Sequence, residues 1–191
     1  MGKDMIKLGL NLLIISAVAA LLLALTNSVT AGTIAQRSEQ ANAEARKLVL
    51  DSAETFEEVK DVNTDNSKGI EVAEVYEAKD ASGNTVGYTL KVVPSGYGGD
   101  IELMVGIDSA NSQVSGINVV SNSETAGLGA RSTEPEFSDQ YKGKPLEELS
   151  VLKNGTPGDT EIKAISGATI TSTAVTNGVD AAIEVYNNSL K

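Results

Sequence analysis

The chain has 191 residues, a net charge of −11, no cysteine and no histidine. Without cysteine it offers no disulfide, iron–sulfur ligand or C-x-x-C-H haem attachment, and without histidine it lacks the usual zinc sites and His-based triads. Any redox chemistry therefore needs an organic cofactor, and the acidic balance, which serves solubility, disfavours nucleic acid.

In chain order, the first element is the run LGLNLLIISAVAALLLAL from Leu8 to Leu25, in which only Asn11 and Ser16 are polar and nothing is charged. As a helix that run rises ~27 Å, and continuing it to Val29 gives ~33 Å, which brackets a bilayer core of ~30 Å. Val29-Thr30-Ala31 resembles a small-residue cleavage site, but the apolar run exceeds the ~7–15 residues of a signal h-region. A retained transmembrane anchor within residues 1–30 is expected. Lys3 and Lys7 precede it with only Asp4 to offset them, and no charge follows until Arg37. Positive residues stay cytoplasmic, so a single-pass protein with a cytoplasmic N-terminus and an extracytoplasmic body is expected.

Beyond the anchor, Ala45, Leu48, Val49, Ser52, Phe56 and Val59 fall at helical spacing. They predict an amphipathic helix over 35–60, within a helical connector that occupies 31–60. After the turn chemistry of DVNTDNSKG (61–69), the period switches to two. Residues 70–78 supply a first strand. Val86, Tyr88, Leu90 and Val92 mark a second, Ile101, Leu103, Val105 and Ile107 a third, and Ile117 to Ser121 a fourth. Their short connections favour antiparallel pairing. EPEFSDQYKG (134–143) and KPLEEL (144–149) predict two short helices, and EIKAI (161–165) one last strand. Val175, Val179, Ile183, Tyr186 and Leu190 mark a closing amphipathic helix. The body, 61–191, is thus expected to be an α+β domain: a small antiparallel sheet covered by helices.

The segment SGATITS (166–172) lies between the last strand and the closing helix. Gly167 allows a sharp turn, and Ser172 or Thr171 can cap the helix. The unpaired N–H groups of the first turn and the positive end of the helix dipole suit an anion such as a phosphate. The same residues also read as an ordinary strand–turn–helix junction. Likewise Gly127 and Gly129 read as loop glycines, and Glu124 as a solvated charge.

AISGATITS resembles the flavinylation motif of the FMN-binding domain family. That family includes the G subunit of the Rnf electron-transport complex and the C subunit of the sodium-translocating NADH:quinone reductase. SETAGLGAR (123–131) is similar to the family's E-T-P-G-L-G segment, with Ala126 in place of proline. PSGYGGDIELMVGID (94–108) resembles its G-Y-G-G stretch leading into a strand. The short length resembles the Rnf G subunit. One position departs: the residue three before the motif serine is usually acidic, and here it is Lys163, with Glu161 nearby.

The resemblance implies FMN attached covalently, through its phosphate, to the Thr169 hydroxyl by a separate flavin transferase. An external enzyme would then activate the hydroxyl, so the chain needs no base of its own. Ser166, Gly167, Ala168, Thr171 and Ser172 would surround the phosphate. Glu124, Thr125, Gly127, Leu128 and Gly129 would approach the flavin, with Tyr97 a further contact. The implied function is an electron carrier in a membrane-bound, ion-translocating ferredoxin:NAD oxidoreductase complex, working with other membrane and redox subunits and turning over nothing alone. Alternatives are the quinone-reductase C subunit, a free-standing extracytoplasmic flavoprotein, or a membrane-anchored ligand-binding or sensor module. A pilin-like assembly protein is disfavoured, since no glutamate lies in the apolar helix. No catalytic residue and no metal site is expected.

Overall fold

The structure, a computed structural model, describes residues 2–191 apart from the Lys3 side chain. Met1, where the expected 1–30 segment begins, and the Lys3 side chain, part of the orientation argument, lie outside the described residues. The chain divides into two compact units, one ending at Ala41 and one running from Asn42 to Lys191.

The first unit is the N-terminal part of one unbroken helix, α1 (Gly2–Val49). Leucine and alanine lose little side-chain freedom in a helix, and no proline interrupts this one. The Thr26 and Thr30 hydroxyls donate to the carbonyls of Leu22 and Thr26, each at 2.9 Å. Neither therefore carries an unsatisfied donor into apolar surroundings. Among the described residues, α1 alone is long and apolar enough to cross a membrane, and its apolar side chains are exposed throughout that stretch. Such an all-round apolar helix suits lipid rather than water.

The helix expected over 35–60 stops at Val49. Leu50 and Ala53 close a turn, and Thr55–Glu58 is a strand, β1. It pairs with β2 (Glu71–Lys79), with Phe56 opposite Ala78. Sheet pairing here overrides the helical spacing of Ser52, Phe56 and Val59, an outcome local periodicity does not register. Residues 42–60 accordingly belong to the same compact unit as the sheet.

Strands β2, β3 (Thr85–Val93), β4 (Glu102–Asp108) and β5 (Gln113–Ser121) follow as expected. With β1 they form a five-stranded antiparallel meander in the order β1-β2-β3-β4-β5. Alternate residues serve opposite faces. Leu90, Val92, Leu103, Val105 and Ile107 join Val175, Val179, Ile183 and Tyr186 of the closing helix, α3 (Thr169–Ser189), in the main core. Met104 points the other way and packs with Ala45 and Val49 at the end of α1. On that second face Arg46 reaches Glu74 at 3.0 Å and lies 4.0 Å above the Tyr76 ring, while Lys91 pairs with Glu102 at 2.8 Å. Helix covers both faces, so β4 reads as a nearly continuous apolar run.

The short helix expected over 134–143 is present as one turn, α2 (Pro135–Ser138), flanked by 3-10 turns at Gly129–Thr133 and Asp139–Tyr141. The rest of the second half departs from expectation in two places. KPLEEL (144–149) is not helical. Pro145 bridges to Gln113, and the Leu149 N–H donates to Asp180 Oδ1 at 2.8 Å, which holds the segment extended. The last strand, β7 (Glu161–Lys163), does not join the meander. It pairs in parallel with β6 (Ser150–Leu152), a strand too short to show in the sequence.

Candidate cofactor-binding site

Strand β7 delivers the chain to the loop 164–168, which turns directly into α3. Ala164 N–H donates to Leu152 O at 2.9 Å, and Ala168 N–H to Ile165 O at 3.0 Å. Gly167 sits between them at φ +79°, where an L side chain is strained. A Cβ there would also lie 3.1 Å from Leu128 Cδ2, so this turn packs tightly against the second motif.

Thr171 and Ser172 do not cap the helix. Its N-cap is Ala168, and the helix begins at Thr169, so both fall inside the first turn and are buried. Ser172 Oγ accepts the Ile165 N–H and donates to Ala168 O, each at 3.0 Å. It stitches the loop to the helix and faces no solvent. The Thr171 hydroxyl donates to Glu124 Oε2 at 2.6 Å. Of the four hydroxyls in 166–172, those of Ser166 and Thr169 remain without a hydrogen bond among the described residues. They point to different places. Thr169 lines a cleft of about 450 Å³. Ser166 lines a separate depression of about 290 Å³ with Arg131, Glu134, Glu136 and Lys163.

The Thr169 cleft is built from three segments. The first turn of α3 and its loop provide Gly167, Ala168, Thr169, Ile170 and Thr171; the loop after β5 provides Glu124, Thr125, Leu128 and Gly129; the turn between β3 and β4 provides Tyr97. The two motifs, about forty residues apart in sequence, thus form opposite walls of one site. Gly129 is buried where they meet, and a Cβ there would lie 2.5 Å from Thr171 Oγ1. Gly127 does not line the cleft. It turns at φ +76° with open space around it, so its role is conformational.

The cleft's surface chemistry is unusual for this domain. From residue 50 onward, the exposed large hydrophobic side chains are Tyr97, Leu128 and Ile170, at 72%, 43% and 58%, and all three line this cleft. Clustered exposed apolar side chains mark a place for a ligand or partner. Ile170 was not among the expected contacts. Its only sequence signal is an apolar residue in a first helical turn on the face opposite the core positions Val175 and Val179.

Glu124 supplies the charge. Burial alone would raise its pKa, but hydrogen bonds from Thr171 and from the Gly98 and Tyr97 backbone outweigh that and hold it below the ordinary glutamate value. Among the described residues no group of His, Cys, Asp or Glu is arranged to hold a metal ion. An open apolar rim and a free hydroxyl at a helix N-terminus suit an amphipathic ligand with a flat ring and an anionic tail.

Residues 96–184 match the FMN-binding domain, and residues 1–49 match the RnfG N-terminal region. The G subunit of the Na(+)-translocating ferredoxin:NAD(+) oxidoreductase complex of Acetobacterium woodii is 47% identical over 99% of this chain and 95% of its own length. The G subunit of an ion-translocating oxidoreductase complex of Methanosarcina acetivorans is 39% identical over 96% and 95%. Among solved structures, the C subunit of the Na(+)-translocating NADH-quinone reductase of Parabacteroides distasonis matches with a TM-score of 0.57, at 22% identity over 80% of this chain and 93% of that one. At that identity the last likeness speaks to the fold alone.

Proposed function

The chain belongs to the family of G subunits of Rnf-type ion-translocating oxidoreductase complexes, built on the FMN-binding domain, and on that premise we propose that it carries FMN on Thr169 as an electron carrier of such a complex. The observation that carries the reading is the Thr169 hydroxyl. It is free, half-exposed, first in its helix, and opens into a cleft ringed by the domain's exposed apolar side chains.

The residues present fit the group. The N–H groups of the first turn of α3 and its positive dipole end receive a phosphate attached at Thr169. Leu128, Ile170 and Tyr97 offer apolar surface to a flat ring, and Gly167 and Gly129 keep the walls close. FMN, when bound, supplies the one- and two-electron chemistry that a chain without cysteine and histidine lacks. The protein's own residues hold it in place and set the local charge.

The linkage is a phosphoester made by a separate flavin transferase. Thr169 would hold FMN through an ester between its Oγ1 and the FMN phosphate, the flavin donor's leaving group departing and the hydroxyl proton going to the transferase. Covalent attachment suits a domain facing outward from the cell membrane, where a lost cofactor is not replaced from the cytoplasm. That orientation, with the N-terminus cytoplasmic, rests on Lys3 and Lys7 preceding the span. The remaining redox and membrane subunits are the carrier's partners, and the chain alone turns over nothing.

The test is direct. Full-length protein made in its own host, denatured and run on a gel, shows flavin fluorescence in its band. Thr169→Ala abolishes that signal, and Ser166→Ala retains it. A dark wild-type band in a host that has the transferase refutes the covalent linkage.

A further inference from the structure

The geometry points to Glu124 as the positioning residue of the cleft: it ties the cleft's three walls together and sets the cleft's one charge. This rests on the cleft being the flavin site. Glu124 Oε1 accepts the backbone N–H groups of Tyr97 and Gly98 at 2.7 and 2.9 Å, and Oε2 accepts the Thr171 hydroxyl at 2.6 Å. The Glu124 N–H is itself anchored on Asn122 Oδ1 at 3.1 Å. One carboxylate thus joins the β3–β4 turn, the loop after β5 and the first turn of α3.

The surrounding backbone is cut to fit it. A Cβ on Gly96 would lie 2.2 Å from Glu124 Oε1, and one on Gly129 would lie 2.2 Å from Oε2. A Cβ on Gly98 would meet the Ser123 carbonyl oxygen at 2.3 Å. Glycine at three positions on two loops leaves room for this side chain and its loop. All three partners are donors, and a carboxylate accepts on both oxygens, whereas a glutamine turns an NH₂ toward one of them. Such charge-assisted bonds are about twice as strong as neutral ones. The negative charge also lies at the positive end of α3, where a helix favours it.

Among the described residues that line the cleft, Glu124 is the only charged one. A fixed carboxylate there opposes the gain of negative charge by a bound redox group, and so lowers its midpoint potential. Glu124 therefore has two separable effects, one through its hydrogen bonds and one through its charge.

The experiment uses the full chain from its own host, with backbone hydrogen exchange at Tyr97 and Gly98 and the flavin midpoint potential as readouts. In Glu124→Ala, protection of both amides falls by about tenfold or more, and the potential rises. Glu124→Gln, which keeps one accepting oxygen and the side-chain shape, restores part of the protection but leaves the potential raised. Amide protection at Leu90 and Val105, paired in the core of the sheet away from Glu124, stays at its wild-type value in both variants and guards against a general folding defect. Unchanged amide protection in Glu124→Ala overturns the clasp. An unmoved potential in both Glu124 variants overturns the electrostatic role. A wild-type chain without flavin overturns the covalent reading alone, and the exchange comparison still decides the clasp.

Discussion

Asp180 should make the domain lose stability as pH rises from about 4 to about 6, the reverse of the usual behaviour of a folded carboxylate. Asp180 lies on α3 with 5% of its surface exposed. Its Oδ1 accepts the Leu149 N–H at 2.8 Å, and its Oδ2 is buried with no hydrogen bond, 3.8 Å from Lys68 Nζ. Burial raises its pKa from 3.8 to about 6, against the lowering by Leu149 and Lys68, while Glu148 adds to the rise. The folded state thus binds the proton more tightly than the unfolded one. Stability from this group is full below about pH 4 and declines through about pH 6. At ~1.4 kcal/mol for each tenfold gain in proton affinity the penalty at pH 7 approaches ~3 kcal/mol, with the attraction of Lys68 already included in the net shift. Asp180→Asn keeps an acceptor for Leu149 and carries no charge. It should raise the urea unfolding midpoint of the detergent-solubilised full chain at pH 7, and the gap over wild type should close on going down to pH 4. The difference between the two proteins cancels the titration of every other carboxylate. A constant difference across that range, or a destabilised Asp180→Asn at pH 7, would refute the reasoning.

Two further outcomes follow from the junction before α3. Ser172→Ala leaves the buried Ile165 N–H without its acceptor and should cost roughly 1–3 kcal/mol, read as a lower unfolding midpoint. Flavin attachment should survive it if the hydroxyl is only a stitch. Gly167→Ala strains a backbone at φ +79° and pushes on Leu128, so a loss of roughly 1–2 kcal/mol is expected. Its flavin fluorescence should also be more open to an aqueous quencher than that of wild type. Unaltered stability and quenching would show that the loop yields there at no cost.

Much of this architecture was legible in the chain because it is written in local period. The apolar run within residues 8–29, the alternation in 86–92 and 101–107, and the spacing of Val175, Val179 and Ile183 each declare an element without reference to anything distant. The misreadings share a cause. Phe56 and Val59 match helical spacing yet sit in and beside an edge strand, since the partner β2 begins more than ten residues later. KPLEEL has good helix formers, but Pro145 and the side chain of Asp180, on another element, hold it extended. Strand β6 is three residues long and exists only through β7.

The sequence by itself determined that the chain has an apolar helix fit for a membrane, an antiparallel α+β body, and a hydroxyl-rich turn opening its last helix. It also determined that redox chemistry here requires an organic cofactor. Only the tertiary structure decided what each hydroxyl does. Ser172 is consumed by Ile165 and Ala168, Thr171 by Glu124, and Ser166 opens to a different depression, which leaves Thr169 at the cleft. It decided too that Glu124 is a keystone between loops, although the residue reads in isolation as a solvated charge. The physical reason is one of range. Periodicity and turn chemistry act within a few residues, whereas a hydrogen-bonding group is satisfied by whatever the fold brings to it, here from 26 to 47 residues away.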